Sequence, residues 1–123
     1  MKEDILKSFG SLLKQLRLDA GIGLRELAKM IGKSPSYLSE IESNRVPPPS
    51  AEMILDIAHA LGGYKNELLA AASKIDPQLT DYVSHQPEAA DFLRKAQEYG
   101  FDKEDWKKID QLAEIAFGKM VKK

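Results

Sequence analysis

The stretch from Leu24 to Asn44 reads LRELAKMIGKSPSYLSEIESN. Leu24, Leu27, Ala28 and Ile31 follow the i, i+3, i+4, i+7 spacing of one helical face, and Gly32 stops the run. Ser34 followed by Pro35 opens a second helix. The serine side chain accepts from free N–H groups there, and proline at the first position gives up no hydrogen bond. Two short helices joined by a three-residue turn must cross closely and steeply. Ala28 falls where they touch, so a larger side chain would part them. Gly32 lies in the turn, where φ is expected to be positive. Leu27, Ile31, Leu38 and Ile41 point into a shared core. Setting Leu38 and Ile41 inward on a helical wheel turns Ser36, Glu40 and Ser43 outward, with Ser39 and Tyr37 on the flanks. That face carries short polar groups and neither Lys nor Arg. A helix that only faces water more often carries long charged side chains. Short hydroxyls permit close approach to base edges, so DNA contact is favoured over a merely solvated face.

Helices are expected on both sides of this pair. Ile5, Phe9, Leu12, Leu13, Leu16 and Ala20 recur at helical spacing before Gly21 and Gly23. Pro47-Pro48-Pro49 must be an extended connector. Ser50 opens a helix with Ile54, Ile57, Ala58 and Leu61 on one face, closed by Gly62-Gly63, and Asn66 to Ala72 makes a short fifth. No strand-like alternation exceeds a few residues, so the expected class is all-α. The composition changes near Ser73 to Pro77. The expected organisation is a five-helix DNA-binding domain over 1–72, a linker over 73–77 and a helical segment over 78–123. That segment divides at Pro77, Pro87 and Gly100 into helices over about 78–85, 88–99 and 103–119, with Asp102 capping the last.

Composition narrows the chemistry. The 123 residues are 43% hydrophobic and 30% charged, as in ordinary globular proteins. Cysteine is absent, which excludes disulfides, thiol nucleophiles and cysteine-based zinc sites. Only His59 and His85 are present, so no multi-histidine metal centre is expected, and each reads as a packing or surface residue. No apolar run is long enough for a membrane helix. The opening MKEDILKSFG has acidic residues where a signal peptide would be apolar, so a cytoplasmic location is expected. No motif orders Ser, His and Asp as a triad, and no Gly-rich phosphate loop occurs. The expectation is no enzyme, no metal and no cofactor. The net charge of −1 gives no general attraction to nucleic acid.

From about Phe9 to Leu69 the chain resembles the Cro and phage-repressor (XRE) family of helix-turn-helix regulators. The matching residues run FGSLLKQLRLDAGIGLRELAKMIGKSPSYLSEIESNRVPPPSAEMILDIAHALGG. The Tyr37-Leu38-Ser39-Glu40-Ile41-Glu42 run and the Ile57-Ala58-x-Ala60-Leu61-Gly62 end of the fourth helix carry the register. The resemblance covers about half the chain. It implies that the helix over 35–43 enters the major groove of double-stranded DNA. Ser36, Ser39 and Glu40 are then base readers, with Tyr37 and Ser43 beside them. Pro35 stands where relatives often read a base. Glu40 can accept from a cytosine amino group or repel phosphate, and both readings stay open. Arg25, Lys33, Asn44 and Arg45 are expected at phosphates. Leu24 replaces the family's common glutamine, and Gly23 its Ser or Thr cap, although backbone N–H groups there remain able to bind phosphate. Glu42 falls on the inner side of its helix, where an unpaired charge is costly, and Arg17 matches the family's partner for it.

The C-terminal segment has its own apolar stripe. Trp106, Ile109, Leu112, Ala113 and Ala116 lie along the last helix, continued by Met120. Either this stripe docks on the first half or two copies pair through it, and a homodimer is favoured. The functional expectation is a bacterial or phage transcriptional regulator, a repressor on a palindromic operator. The alternative keeps the fold but makes partner-protein binding the main role, as an antitoxin or a protease-controlled repressor.

Overall fold

The structure is a computed structural model and describes residues 8–118. Among the described residues eight helices follow one another: α1 Phe9–Asp19, α2 Leu24–Met30, α3 Pro35–Glu42, α4 Ala51–Leu61, α5 Lys65–Ala71, α6 Pro77–Ser84, α7 Pro87–Tyr99 and α8 Lys103–Phe117. No strand occurs among the described residues, so the all-α expectation holds there.

Side-chain caps fix where several helices begin. Ser8, Ser34 and Ser50 accept from the backbone N–H groups of Ser11, Tyr37 and Met53 at 3.3, 3.1 and 3.2 Å. The Ser8 cap starts α1 at Phe9; Ile5 lies outside the described residues, as does Met120 at the other end. The fifth helix opens one residue earlier than expected, after Tyr64 in a left-handed conformation with φ 72°. The α2 turn closes through two backbone bonds, Gly32 N–H to the Lys29 carbonyl at 3.2 Å and Lys33 N–H to the Ala28 carbonyl at 2.9 Å. This 5→2 and 6→1 pairing requires a left-handed residue at Gly32, whose φ is 71°. A Cβ there would meet nothing within 4 Å, so glycine is needed for its backbone conformation and not for space.

The chain forms two compact units, divided between Asp81 and Tyr82. The division comes later than the 73–77 linker read from the sequence. Lys65 Nζ pairs with Asp76 Oδ2 at 3.0 Å, and Asp76 Oδ1 accepts from the Gln78 N–H at 2.9 Å. These contacts keep the expected linker with the first unit. They also hold the Asp76 carboxyl below its usual pKa, through the Gln78 bond first and Lys65 second.

In the first unit α1 packs on α3 and α5, α2 on α3 and α4, and α4 on α5. Leu13, Leu27, Leu38, Ile41, Ile54, Ile57 and Leu68 are completely buried at their centre. Each such side chain contributes about 1.5–3 kcal/mol relative to exposure. The second unit is different. Ala96 is its one buried residue among those described. Phe92, Phe101 and Trp106 meet edge to face, with ring centroids 5.2 to 6.2 Å apart. Trp106, expected in a self-association stripe, also joins this cluster between α7 and the start of α8 and remains 39% exposed. Beyond it Leu112, Ile115 and Phe117 are exposed by 62%, 82% and 59%.

Candidate DNA-binding face

Helix α3 is held from behind by an alternation of buried and exposed positions. Leu38, Ile41 and Glu42 are buried, while Ser36, Ser39, Glu40 and Ser43 are exposed. Tyr37 is half-buried against the core, and Lys33 Nζ stands 5.8 Å from its ring centroid. Ala28 is fully buried, at the position where α2 meets α3.

Glu42 shows what fixes the angle of α3. Arg17 Nε donates to Glu42 Oε2 at 2.6 Å and Arg17 Nη2 donates to Oε1 at 2.9 Å. A third donor of the same guanidinium, Nη1, bonds the Ile22 carbonyl at 3.0 Å. The fork thus ties α1, α3 and the α1–α2 loop together with both carboxylate oxygens satisfied. The bond to Glu42 raises the Arg17 pKa further above its ordinary value, against the opposing effect of burial.

A second tie was missed in the sequence. Asn44, expected at a phosphate, turns its amide back into the fold. Its Oδ1 accepts from the Gly10 N–H at 3.0 Å and its Nδ2 donates to Ser8 Oγ at 3.2 Å. Asn44 sits at φ 59°, and its own N–H and that of Arg45 bond the Ile41 and Glu40 carbonyls at 3.0 Å each. This closes α3 in the same way that Gly32 closes α2. Gly10 permits the approach: a Cβ there would stand 2.3 Å from the Ile41 carbonyl oxygen and 2.7 Å from that of Glu42. One signal was available. Glycine near the start of a helix costs stability relative to alanine, so its presence within a helical pattern points to a packing reason.

The outward residues converge. Arg25 from α2, Ser36, Ser39 and Glu40 from α3 and Arg45 from the following loop line one surface groove of about 370 Å³, together with Leu24 and Pro35. Two of the expected phosphate residues and three of the expected base readers therefore share one surface. Lys33, Tyr37, Ser43 and Asn44 are not among its lining residues. Ser43 and Asn44 border a separate hollow with Lys14 and Gln15 of α1. At the start of α2 the Glu26 carboxylate accepts from the Gly23 N–H at 3.3 Å. A negative group thus stands at the helix end where phosphate binding was expected, and it opposes a phosphate there.

A two-helix unit with a left-handed turn, a buried crossing alanine and a polar outer face on its second helix defines a helix-turn-helix DNA-binding domain. A family model described as a helix-turn-helix domain matches residues 10–74. The chain belongs to this family, in its XRE-type branch. Over 74 residues it is 34% identical to an uncharacterized HTH-type transcriptional regulator of Mycobacterium tuberculosis, a match covering 60% of this chain and 52% of that protein. The chain thus spans about half the length of the curated relatives it matches. Among solved structures it is similar to the clp gene regulator ClgR of Corynebacterium glutamicum, with 30% identity and a TM-score of 0.49 over 77% of this chain and 93% of that one. It is also similar to a chain of the SinR protein/SinI protein complex, with 25% identity and a TM-score of 0.48 over 89% of this chain and 98% of that one. Family membership rests on the match over residues 10–74. No helix among the described residues is long and apolar enough to cross a membrane.

Proposed function

We propose that this protein is a dimeric transcriptional repressor that reads a palindromic operator through α3. The observation that carries the reading is the shared groove of Arg25, Ser36, Ser39, Glu40 and Arg45. It sets positive charge for phosphates beside short polar groups for base edges. Arg25 and Arg45 position the domain, Ser36 and Ser39 read bases, and Tyr37, Ser43 and Lys33 border the face. Occupying an operator is enough to block a promoter, so repression asks nothing of the chain beyond binding.

The second unit supports the self-association in this reading. Leu112 and Ile115, with Ile109, Ala113 and Ala116 beside them, leave an apolar face on α8. A second copy of α8 running antiparallel suits this face. A two-fold pair of this kind is isologous, each copy covering the same face of the other. A palindromic operator asks for two α3 helices about one DNA turn apart, roughly 34 Å.

Selection from random-sequence duplex DNA, joined to sedimentation of the intact chain, tests the reading. A selected palindrome and a dimer at micromolar concentration are expected. Arg45→Ala should weaken all sequences alike and reduce the salt slope by about one unit. A pool with no preferred sequence, or a monomer bound to a single non-repeating site, overturns the proposal.

A further inference from the structure

We infer that Glu40 is the specificity-determining residue of the face and reads one cytosine in each half-site. The inference rests on the DNA-binding reading above and extends it to a particular base. The outer face of α3 is short of donors. Ser36 and Ser39 offer only single hydroxyls, and no Asn, Gln, Lys or Arg stands on the outer face of α3. The face therefore has no two-pronged reader for the edge of guanine or adenine. Glu40 is its one charged group. Its carboxylate is exposed and forms no hydrogen bond or ion pair among the described residues.

An ionised carboxylate only accepts. In the major groove guanine presents two acceptors and thymine one acceptor and a methyl group, so both oppose it. Adenine sets its amino donor beside the N7 acceptor, whose lone pair faces a carboxylate unfavourably. Cytosine presents its amino group as a donor with no acceptor of its own alongside. Cytosine is the base edge that suits Glu40.

The cost is a negative charge brought toward phosphates, and the groove answers it. Arg25 and Arg45 line the same groove. The Arg45 N–H donates to the Glu40 carbonyl at 3.0 Å, which fixes the Arg45 backbone at the end of the turn that carries Glu40. Two cations beside one anion let the carboxylate enter while the flanking phosphates remain neutralised. Glu40 then discriminates more than it attaches, because every wrong base leaves the carboxylate desolvated without a donor.

The test compares pools selected by the intact protein and by Glu40→Gln, an exposed substitution whose folding is checked by its melting curve. The wild type should fix a cytosine at one symmetric position in each half-site. Replacing that cytosine should weaken wild-type binding by about tenfold to a hundredfold. Glu40→Gln should move the preference to adenine, since an amide matches the adenine donor–acceptor pair, and should bind random DNA more tightly. A wild-type motif without a fixed cytosine, or one that Glu40→Gln leaves unchanged, overturns the assignment of Glu40 while leaving the DNA-binding reading standing. A wild type that selects no motif overturns both.

Discussion

The two units of this chain solve the same problem by different means. The first, up to Asp81, buries seven large aliphatic side chains completely and ties its helices with a bidentate ion pair and an asparagine clamp. The second, from Tyr82, buries Ala96 and otherwise relies on three aromatic rings and an exposed helix. The difference teaches where rigidity is needed. A surface that must match the spacing of base edges has to be held to a fraction of an ångström, and close packing does that. On the proposed dimer reading, a surface that only has to find a copy of itself can leave its apolar side chains open until the partner arrives.

The contrast is most exposed to attack at Arg17 and Glu42. Arg17→Met or Glu42→Leu should each cost about 3–5 kcal/mol, because the remaining charge stays buried without its partner. The double variant should lose less than the sum, read by chemical denaturation. Additive losses would mean that the pair does not tie the unit together, and the contrast with the second unit would weaken.

Steric variants come next. Gly10→Ala and Ala28→Leu both overfill a helix contact and should each cost about 1–3 kcal/mol. Both should weaken DNA binding along with the melting temperature, since both move α3. A melting curve unchanged by Gly10→Ala would remove the clamp from the account.

On the second unit the expected response is opposite in kind. Ile115→Asp should leave the melting of the first unit alone and convert dimer to monomer in sedimentation, with loss of operator affinity and retention of half-site contact. A variant that remains dimeric would move the self-association surface elsewhere.

The smallest effect concerns acid. Asp102 caps α8 by accepting from the Asp105 N–H at 3.0 Å, and that bond is the main reason its carboxyl is held below the usual range. A depressed folded pKa means that the cap acts fully above the ordinary carboxylate range and is lost as pH falls through the lowered value. The first turn of α8 should therefore fray below about pH 4, followed by helix content. Asp102→Asn should lose that part of the pH dependence. A titration identical in the two proteins would separate the cap from the acid response.

How legible this was in the sequence follows the same contrast. The helix-turn-helix pair was legible because periodicity, a Ser-Pro start and Gly32 all point one way, and local signals that agree are the readable ones. The buried faces of Leu38 and Ile41 and the pairing of Arg17 with Glu42 came with it. The Asn44 clamp was not legible, because an asparagine after a helix suits a phosphate and a backbone clamp equally well on paper, and its partner Gly10 lies thirty-four residues away in sequence. Trp106 was read as part of a free stripe because periodicity shows which helical side is apolar and not which neighbour covers it. Phe92 and Phe101 meet it edge to face while it stays 39% exposed, and Ile115, passed over for the stripe, is the most exposed large apolar residue of the helix. The placement of Glu26 over the start of α2 was open to reading, since an acid three residues after a cap position often reaches back to it.

The alternation along α3 has a consequence for how such a protein can change. Positions 38, 41 and 42 hold the helix, and positions 36, 39 and 40 face outward between them. The two sets share a backbone, and no side-chain hydrogen bond or ion pair joins one to the other. An outward position can therefore be rewritten without re-solving the fold, and the loss of one target sequence need not pass through an unfolded intermediate. Duplicated copies of the gene can drift toward separate operators by a few substitutions on one helix. The same separation makes the domain a usable chassis: a library varied at 36, 39 and 40 alone should consist mostly of folded proteins that differ in what they read.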